Sequence, residues 1–252
     1  MGDPMLFFVT ITISGLLAGA LNAVAGGGTF LTFPALVWLG VPPIMANATA
    51  TIGALPGYAS SAWGYRSDVS AEGTLGLRAI VGLGALGGLL GAGLLLVTPG
   101  AVFEGLVPWL LLVATVLFAT GPRVLAFVRA RGFGPAGPVL SGAAVLAVSI
   151  YGGYFNGGLG ILLLAMLGLI GFVNLHGMNG LKVLLSAVLS LVSAAAYAAA
   201  GLIDWDAALI MAVATTIGGY LGARGAKLIR MDHLRIGITG VGLVMTLLFF
   251  AL

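Results

Sequence analysis

The stretch NAVAGGGTFLTFP, from Asn22 to Pro34, decides how the rest of the chain is read. A long apolar run enters it, Gly26, Gly27 and Gly28 interrupt it, and a short apolar run over 29–40 leaves it. Adjacent glycines free the backbone and weaken any helix that contains them. The run that follows is too short to cross about 30 Å of hydrocarbon as a straight helix. The pattern is that of a broken or re-entrant helix. Its open backbone is tolerated at membrane depth only where protein or a water-filled cavity surrounds it. A helix that restarts after such a break turns its positive dipole end toward the gap, which suits an anion. Asn22, Gly26, Gly27, Gly28 and Thr29 are therefore candidate substrate-binding residues. The plainer reading, that the glycines let two helices touch, is compatible with it.

The surroundings are those of a membrane. Hydrophobic residues make up 60% of the 252 positions and charged residues only 7%, against about 25% charged in soluble domains. Mean hydropathy is +1.19. Apolar stretches recur at 5–25, 29–40, 43–65, 75–97, 105–121, 138–157, 159–173, 177–200, 206–222 and 236–252. The start carries Asp3 and no basic region, so the first stretch is expected to be a retained span. Glycine contributes 42 residues, a share that in a bilayer points to close helix packing and broken helices. GxxxG spacings at Gly15/Gly19, Gly84/Gly88, Gly87/Gly91, Gly153/Gly157 and Gly218/Gly222 read as helix contacts. Cysteine is absent, which removes disulfides, thiolate metal sites and cysteine nucleophiles. The net charge of +3 lies in short loops and forms no nucleic-acid patch.

The two halves of the sequence match. A shift of 132 positions takes Gly26 to Gly158, Gly28 to Gly160, Asn47 to Asn179, Ser61 to Ser193 and Tyr65 to Tyr197. The second short stretch, 159–173, again follows glycines, Gly157, Gly158 and Gly160. The expected fold is an all-α integral membrane protein, a polytopic helical bundle of two inverted repeats with broken or re-entrant helices. The first repeat covers 1–121, a cytoplasmic linker 122–137, and the second repeat 138–252. Arg123, Arg129 and Arg131 mark 122–137 as cytoplasmic. Arg224, Lys227, Arg230 and Arg235 mark 223–235, and Arg66 and Arg78 beside Asp68 and Glu72 mark 65–78. The acid-only connections near Glu104 and near Asp204 and Asp206 fall outside. Both termini are then outside, in a multi-pass protein of the inner (plasma) membrane.

Other polar residues stand out against the apolar background. Asn47, Thr49 and Thr51 lie in one run, with Asn179 as the repeat mate of Asn47 and Asn156 beside the second glycine cluster. Such side chains bind a ligand or join helices by hydrogen bonds worth about 0.6 kcal/mol each. Lys182 lies about a turn and a half into its stretch. It either faces an anion or extends to the interface. His176 sits near the same edge, where solvation is the simpler reading and a proton relay the other. Trp38, Trp63, Trp109 and Trp205 fall near segment ends, as interface anchors do. Asp204 precedes Trp205 as a helix N-cap would.

At AGGGTFLTFPAL (25–36), GVPPIMANATATIGALPG (40–57), GLIDW (201–205) and IGGYLGARGAKL (217–228) the chain resembles the sulfite exporter TauE/SafE family of membrane permeases. The resemblance covers about 15–230. One departure is visible, since the second half offers GGLGILLLAM without the full triple glycine or the following proline. The resemblance implies a secondary transporter of sulfite, an organosulfonate or another sulfur oxyanion, working by alternating access. The expected substrate-binding set is Asn22, Gly26, Gly27, Gly28, Thr29, Asn47, Thr49, Thr51, Asn156, Gly158, Gly160, Asn179 and Lys182. No metal, cofactor, nucleic acid or enzymatic activity is expected. The expected partners are a small anion and the lipid bilayer, and a coupling proton and a homo-oligomer stay open. A passive anion channel and a non-transporting membrane scaffold are the alternative functions.

Overall fold

A computed structural model of the chain describes residues 3–24, 26–67, 69–130, 137–225 and 231–251. Its helices are α1 (Pro4–Val24), α2 (Thr29–Trp38), α3 (Pro43–Gly64), α4 (Leu77–Val97), α5 (Gly100–Ala130), α6 (Pro138–Tyr154), α7 (Leu159–Leu169), α8 (Leu175–Ala199), α9 (Trp205–Gly225) and α10 (Met231–Ala251). No strand occurs among the described residues. Each expected apolar stretch has its helix. α2 and α7 are as short as the glycine breaks require, at 10 and 11 residues. α5 is longer than expected, at 31 residues. Its apolar pattern continues through Leu125, Ala126, Phe127 and Val128, so the first part of the expected linker is helix. Asp68, Arg131, Lys227 and Arg230 lie outside the described residues.

Length and hydropathy make α1, α4, α5, α8 and α9 competent to cross a bilayer. α3 has the length, 22 residues, but Asn47, Thr49, Thr51, Ser60 and Ser61 make it less apolar. Trp38, Trp63 and Trp205 lie at helix ends and are exposed, whereas Trp109, expected near a segment end, is exposed as the tenth residue of α5, because that helix already begins at Gly100. Asp204 does cap α9, its Oδ1 accepting from the N–H of Ala207 at 3.1 Å.

α9 packs on α1 and α3, α4 packs on α6 and α8, α3 packs on α8, and α5 packs on α10. Contacts along the seams give the directions. Gly15 faces Met211 and Ala214 while Gly19 faces Thr215 and Gly219, so α1 and α9 run in parallel. Gly53 faces Met211 and Gly57 faces Thr215, so α3 runs the same way. Gly84 faces Leu185 and Gly88 faces Leu189, and Gly87 faces Leu146 while Gly91 faces Ile150 and Tyr154. α4, α6 and α8 are therefore parallel to one another. α3 and α8 meet in opposite directions. Gly180 lies against Tyr65 at the end of α3, whereas Asn47 at its start reaches Tyr154 O, next to Gly153, whose carbonyl takes the Tyr197 hydroxyl.

Glycine makes these seams. A Cβ at Gly91 would stand 2.7 Å from Tyr154 N and 2.9 Å from Gly153 C, and one at Gly222 would stand 2.5 Å from Ala20 Cα. Backbone that close admits no side chain, as in small-xxx-small packing generally. Two apolar cores flank the seams. One holds Phe33, Phe103, Phe155 and Tyr197, the other Leu159, Leu163, Leu185 and Leu189.

Candidate functional site

The two helix breaks meet. α1 closes where the Gly26 N–H returns to Leu21 O at 3.0 Å. Gly26 takes φ +76° there, a left-handed conformation that only glycine adopts freely. α7 restarts after Gly158. A Cβ on Gly26 would lie 3.0 Å from Gly160 Cα, so the first break rests directly on the second.

Four buried polar side chains collect at this junction. Asn22 Oδ1 accepts from the N–H groups of Gly27 at 3.1 Å and Gly28 at 2.7 Å. Asn156 Nδ2 donates to Ser190 Oγ at 3.0 Å. Between the two asparagines stands Tyr58, its hydroxyl 3.5 Å from Asn22 Oδ1 and 3.5 Å from Asn156 Oδ1. One proton cannot serve both acceptors, and 3.5 Å is at the long limit of a hydrogen bond. The hydroxyl is therefore held centrally and bound tightly by neither. Thr29 Oγ1 is buried without a partner among the described residues. The junction thus holds the hydroxyls of Tyr58 and Ser190.

The expectation that backbone N–H groups at the breaks would face an anion is corrected in part. Gly27 and Gly28 give theirs to Asn22. Phe30 and Leu31 give theirs to Gly27 O and Gly28 O, and Ile161 and Leu162 give theirs to Gly158 O. A sharp turn brings the preceding side chain and carbonyls onto the freed donors before any ligand can reach them.

Lys182 is 3% exposed. Its Nζ donates to Asn179 Oδ1 at 3.1 Å, and no carboxylate pairs with it among the described residues. It does not extend into solvent from the helix end. Asn179, Lys182, Ser186, Ser190, Ser193 and Tyr197 lie on one face of α8, within about 80° at 100° per residue. That stripe runs from Lys182 to the junction, roughly 12 Å from Lys182 to Ser190 at about 1.5 Å per residue.

The structure does not bring the whole expected set together. Roughly 27 Å separate Asn47 from Tyr65 along α3, and Gly180 packs on Tyr65. Asn47 and its mate Asn179 therefore lie at opposite ends of the bundle, and no small ion touches both. Thr49 and Thr51 serve the framework. Thr49 Oγ1 accepts the Asp204 N–H at 3.0 Å, and Thr51 Oγ1 donates to Asn47 O at 2.8 Å. Asn47 Nδ2 donates to Tyr154 O at 2.9 Å, while its Oδ1 is buried without a partner among the described residues. His176 is exposed at the start of α8. Tyr58, Ser186 and Ser190 were not singled out by sequence, although their spacing from Asn47 and from Lys182 sets them on the same helix faces. No cluster of three or more His, Asp or Glu residues that could hold a metal occurs among the described residues.

Polar groups buried among apolar spans are the anatomy of a multi-pass membrane protein that handles a polar solute. The chain belongs to the sulfite exporter TauE/SafE family, whose pattern it matches over residues 11–249. Relatives carry transporter names. "Probable membrane transporter protein ORF9" of Sinorhizobium sp is 26% identical over 230 residues, 86% of this chain and 84% of the relative. A "Probable membrane transporter protein" of Haemophilus influenzae is 31% identical over 212 residues, 83% of this chain and 81% of the relative. "Probable membrane transporter protein YfcA" of Escherichia coli is 28% identical over 242 residues, covering 91% and 86%. No solved structure matches the chain. The protein is a membrane transporter.

Proposed function

We propose that the protein is a secondary transporter carrying a small anion, a sulfur oxyanion such as sulfite or an organosulfonate, by alternating access. The observation that carries this reading is Lys182, a buried cation with one amide oxygen and, among the described residues, no carboxylate for company. An ionised group so placed is costly unless a counter-charge completes it, and a substrate anion supplies that charge. From Lys182 the α8 stripe leads to the neutral donors at the junction, where binding is weaker and release easier. Neutral donors matter because a carrier has to let go of what it holds.

Alternation is supported by the arrangement of the halves. The α1–α9 and α3–α9 pairs have counterparts in α6–α4 and α8–α4, and the two groups run in opposite directions. The ends of α2 and α7 also correspond. Gly40 and Gly171 both take left-handed φ, +89° and +101°. Val41 N–H returns to Leu36 O, and Phe172 N–H to Leu167 O, each at 3.0 Å. Inverted halves with breaks meeting between them are a carrier architecture. In this reading the basic loops, including 65–78 beside the start of α8, face the cytoplasm and both termini face outside.

The test is uptake into liposomes holding the purified protein, with sulfite, thiosulfate, taurine and acetate as solutes. Lys182→Met should weaken the transported anion by about 10- to 100-fold, the loss of one charge-assisted bond. Lys182→Arg should keep part of the affinity. Anion loaded on the far side should accelerate uptake in a carrier and leave a channel unaffected. Unchanged affinity in Lys182→Met would refute the assignment.

A further inference from the structure

At the end of the bundle remote from Lys182, a cavity of about 480 Å³ is lined by Val37, Pro43, Glu104, Trp109, Phe249 and Phe250, with Gly105 and Pro108 completing its wall. Its chemistry differs from that of the transport site. Glu104 is exposed at the start of α5, and no base or hydrogen-bond donor meets its carboxylate among the described residues. Trp109 and Phe250 stand edge to face, ring centroids 5.1 Å apart at 89°. Phe249 is steadied from behind by stacking on Phe33 at 5.9 Å.

A carboxylate beside aromatic rings, with no basic residue in the lining, complements an organic ammonium. The carboxylate supplies the charge and the rings their negative faces. An anion would be repelled, and a purely apolar occupant would leave Glu104 unmatched. The surface around the cavity indicates where the ammonium comes from. Val102, Leu106 and Leu247 nearby on α5 and α10 are 52%, 40% and 68% exposed, an apolar face that a bilayer covers. Glu104 lies roughly 6 Å along α5 from its first residue, Phe249 and Phe250 close α10, and Pro43 opens α3, so the cavity lies at the level of the helix ends, where headgroups sit. We propose that this cavity holds the ammonium headgroup of a phosphatidylethanolamine molecule, with its acyl chains along the α5–α10 face.

The experiment is native mass spectrometry of the full-length protein, extracted in mild detergent from vesicles of equal phosphatidylethanolamine and phosphatidylglycerol. Wild type should keep phosphatidylethanolamine in preference to phosphatidylglycerol. Glu104→Gln should lower that preference about tenfold, the loss of a charge-assisted bond, and Trp109→Leu should lower it too. Because Glu104 bonds to no described residue, Glu104→Gln should fold normally, and it carries the test if Trp109→Leu does not. A Glu104→Gln protein that retains the lipid as wild type does overturns the proposal. So does equal retention of both lipids by wild type, which would mean apolar adhesion only. Thermal protection of delipidated protein by tetramethylammonium, without any lipid preference, would assign the cavity to a free cation and also overturn it.

Discussion

The glycine seams make a prediction that can be read within a single helix. On α4, Gly91 and Gly93 are two positions apart and differ completely in surroundings. A Cβ at Gly91 would meet Ile150 O, Tyr154 N at 2.7 Å and Gly153 C at 2.9 Å, all backbone. A Cβ at Gly93 meets nothing within 4 Å, and the same is true of Gly82. Alanine gains about 1 kcal/mol over glycine in a helix interior, so Gly93→Ala and Gly82→Ala should stabilise slightly or do nothing. Gly91→Ala has the same gain but drives α4 away from α6. Overpacking costs about 1–3 kcal/mol, and here only a shift of the whole helix relieves it, which puts the cost at the upper end. The net loss is about 2 kcal/mol, or about 4–8 °C in melting temperature for a chain of this length. Gly222→Ala, which strikes Ala20 in the corresponding seam between α9 and α1, should behave as Gly91→Ala does. The assay is thermal unfolding in detergent, followed by tryptophan fluorescence and by aggregation. Equal melting temperatures for Gly91→Ala and Gly93→Ala would refute the claim that backbone contact holds α4 on α6.

Other outcomes follow from single contacts. Asp204→Ala removes the cap on the Ala207 N–H and should cost about 1 kcal/mol by the same unfolding assay, with Asp204→Asn restoring most of it. Thr215→Val removes a 2.6 Å bond to Gly53 O between α9 and α3. It should cost about 0.6 kcal/mol, the average for such bonds in a bilayer. Tyr58→Phe deletes a hydroxyl bound at 3.5 Å on both sides, so the melting temperature should hardly move. Anion affinity in the liposome assay should fall by roughly 2- to 12-fold, the loss of one neutral hydrogen bond; a large stability loss with unchanged affinity would make Tyr58 a framework residue instead.

The helices and their breaks were legible because the bilayer imposes a coarse code. Apolar length marks a span, and clustered glycines mark a break. The triple glycine at Gly26–Gly28 marks the start of α2, and of the cluster Gly157, Gly158 and Gly160 the first two mark the start of α7, while Gly160 lies inside it. The excess length of α5 was missed because the arginines of 122–130 look like a loop to a rule that reads charge. A helix can carry arginine on exposed turns once it has left the hydrocarbon. The cap at Asp204 was legible because a cap is a local motif, needing only the residues next to it.

The site was less legible, and the reason lies in the opposed directions of α3 and α8. The shift of 132 pairs Asn47 with Asn179 in sequence, but correspondence in sequence is not proximity. Where two equivalent helices run in opposite directions, only residues near their common middle come together. Equivalent residues near one end of each helix are carried to opposite faces of the bundle. Asn47 and Asn179 both lie near the starts of their helices, so they part, while the glycine breaks stay in contact at Gly26 and Gly160. Tyr58 and Ser190, a shift of 132 apart, are also corresponding positions, and both lie far enough along their helices to reach the junction. There they meet Asn156 from opposite sides, one at its Oδ1 and the other at its Nδ2. The useful question for such a chain is therefore which matched residues fall at the centre of the alignment. Lys182 escapes the rule for a different reason. Its counterpart is Ala50, so the charge is present on one face of the bundle alone. On the carrier reading proposed above, the helix arrangement is symmetric and the electrostatics are not, and in the liposome assay the anion should bind more tightly from the side on which Lys182 lies.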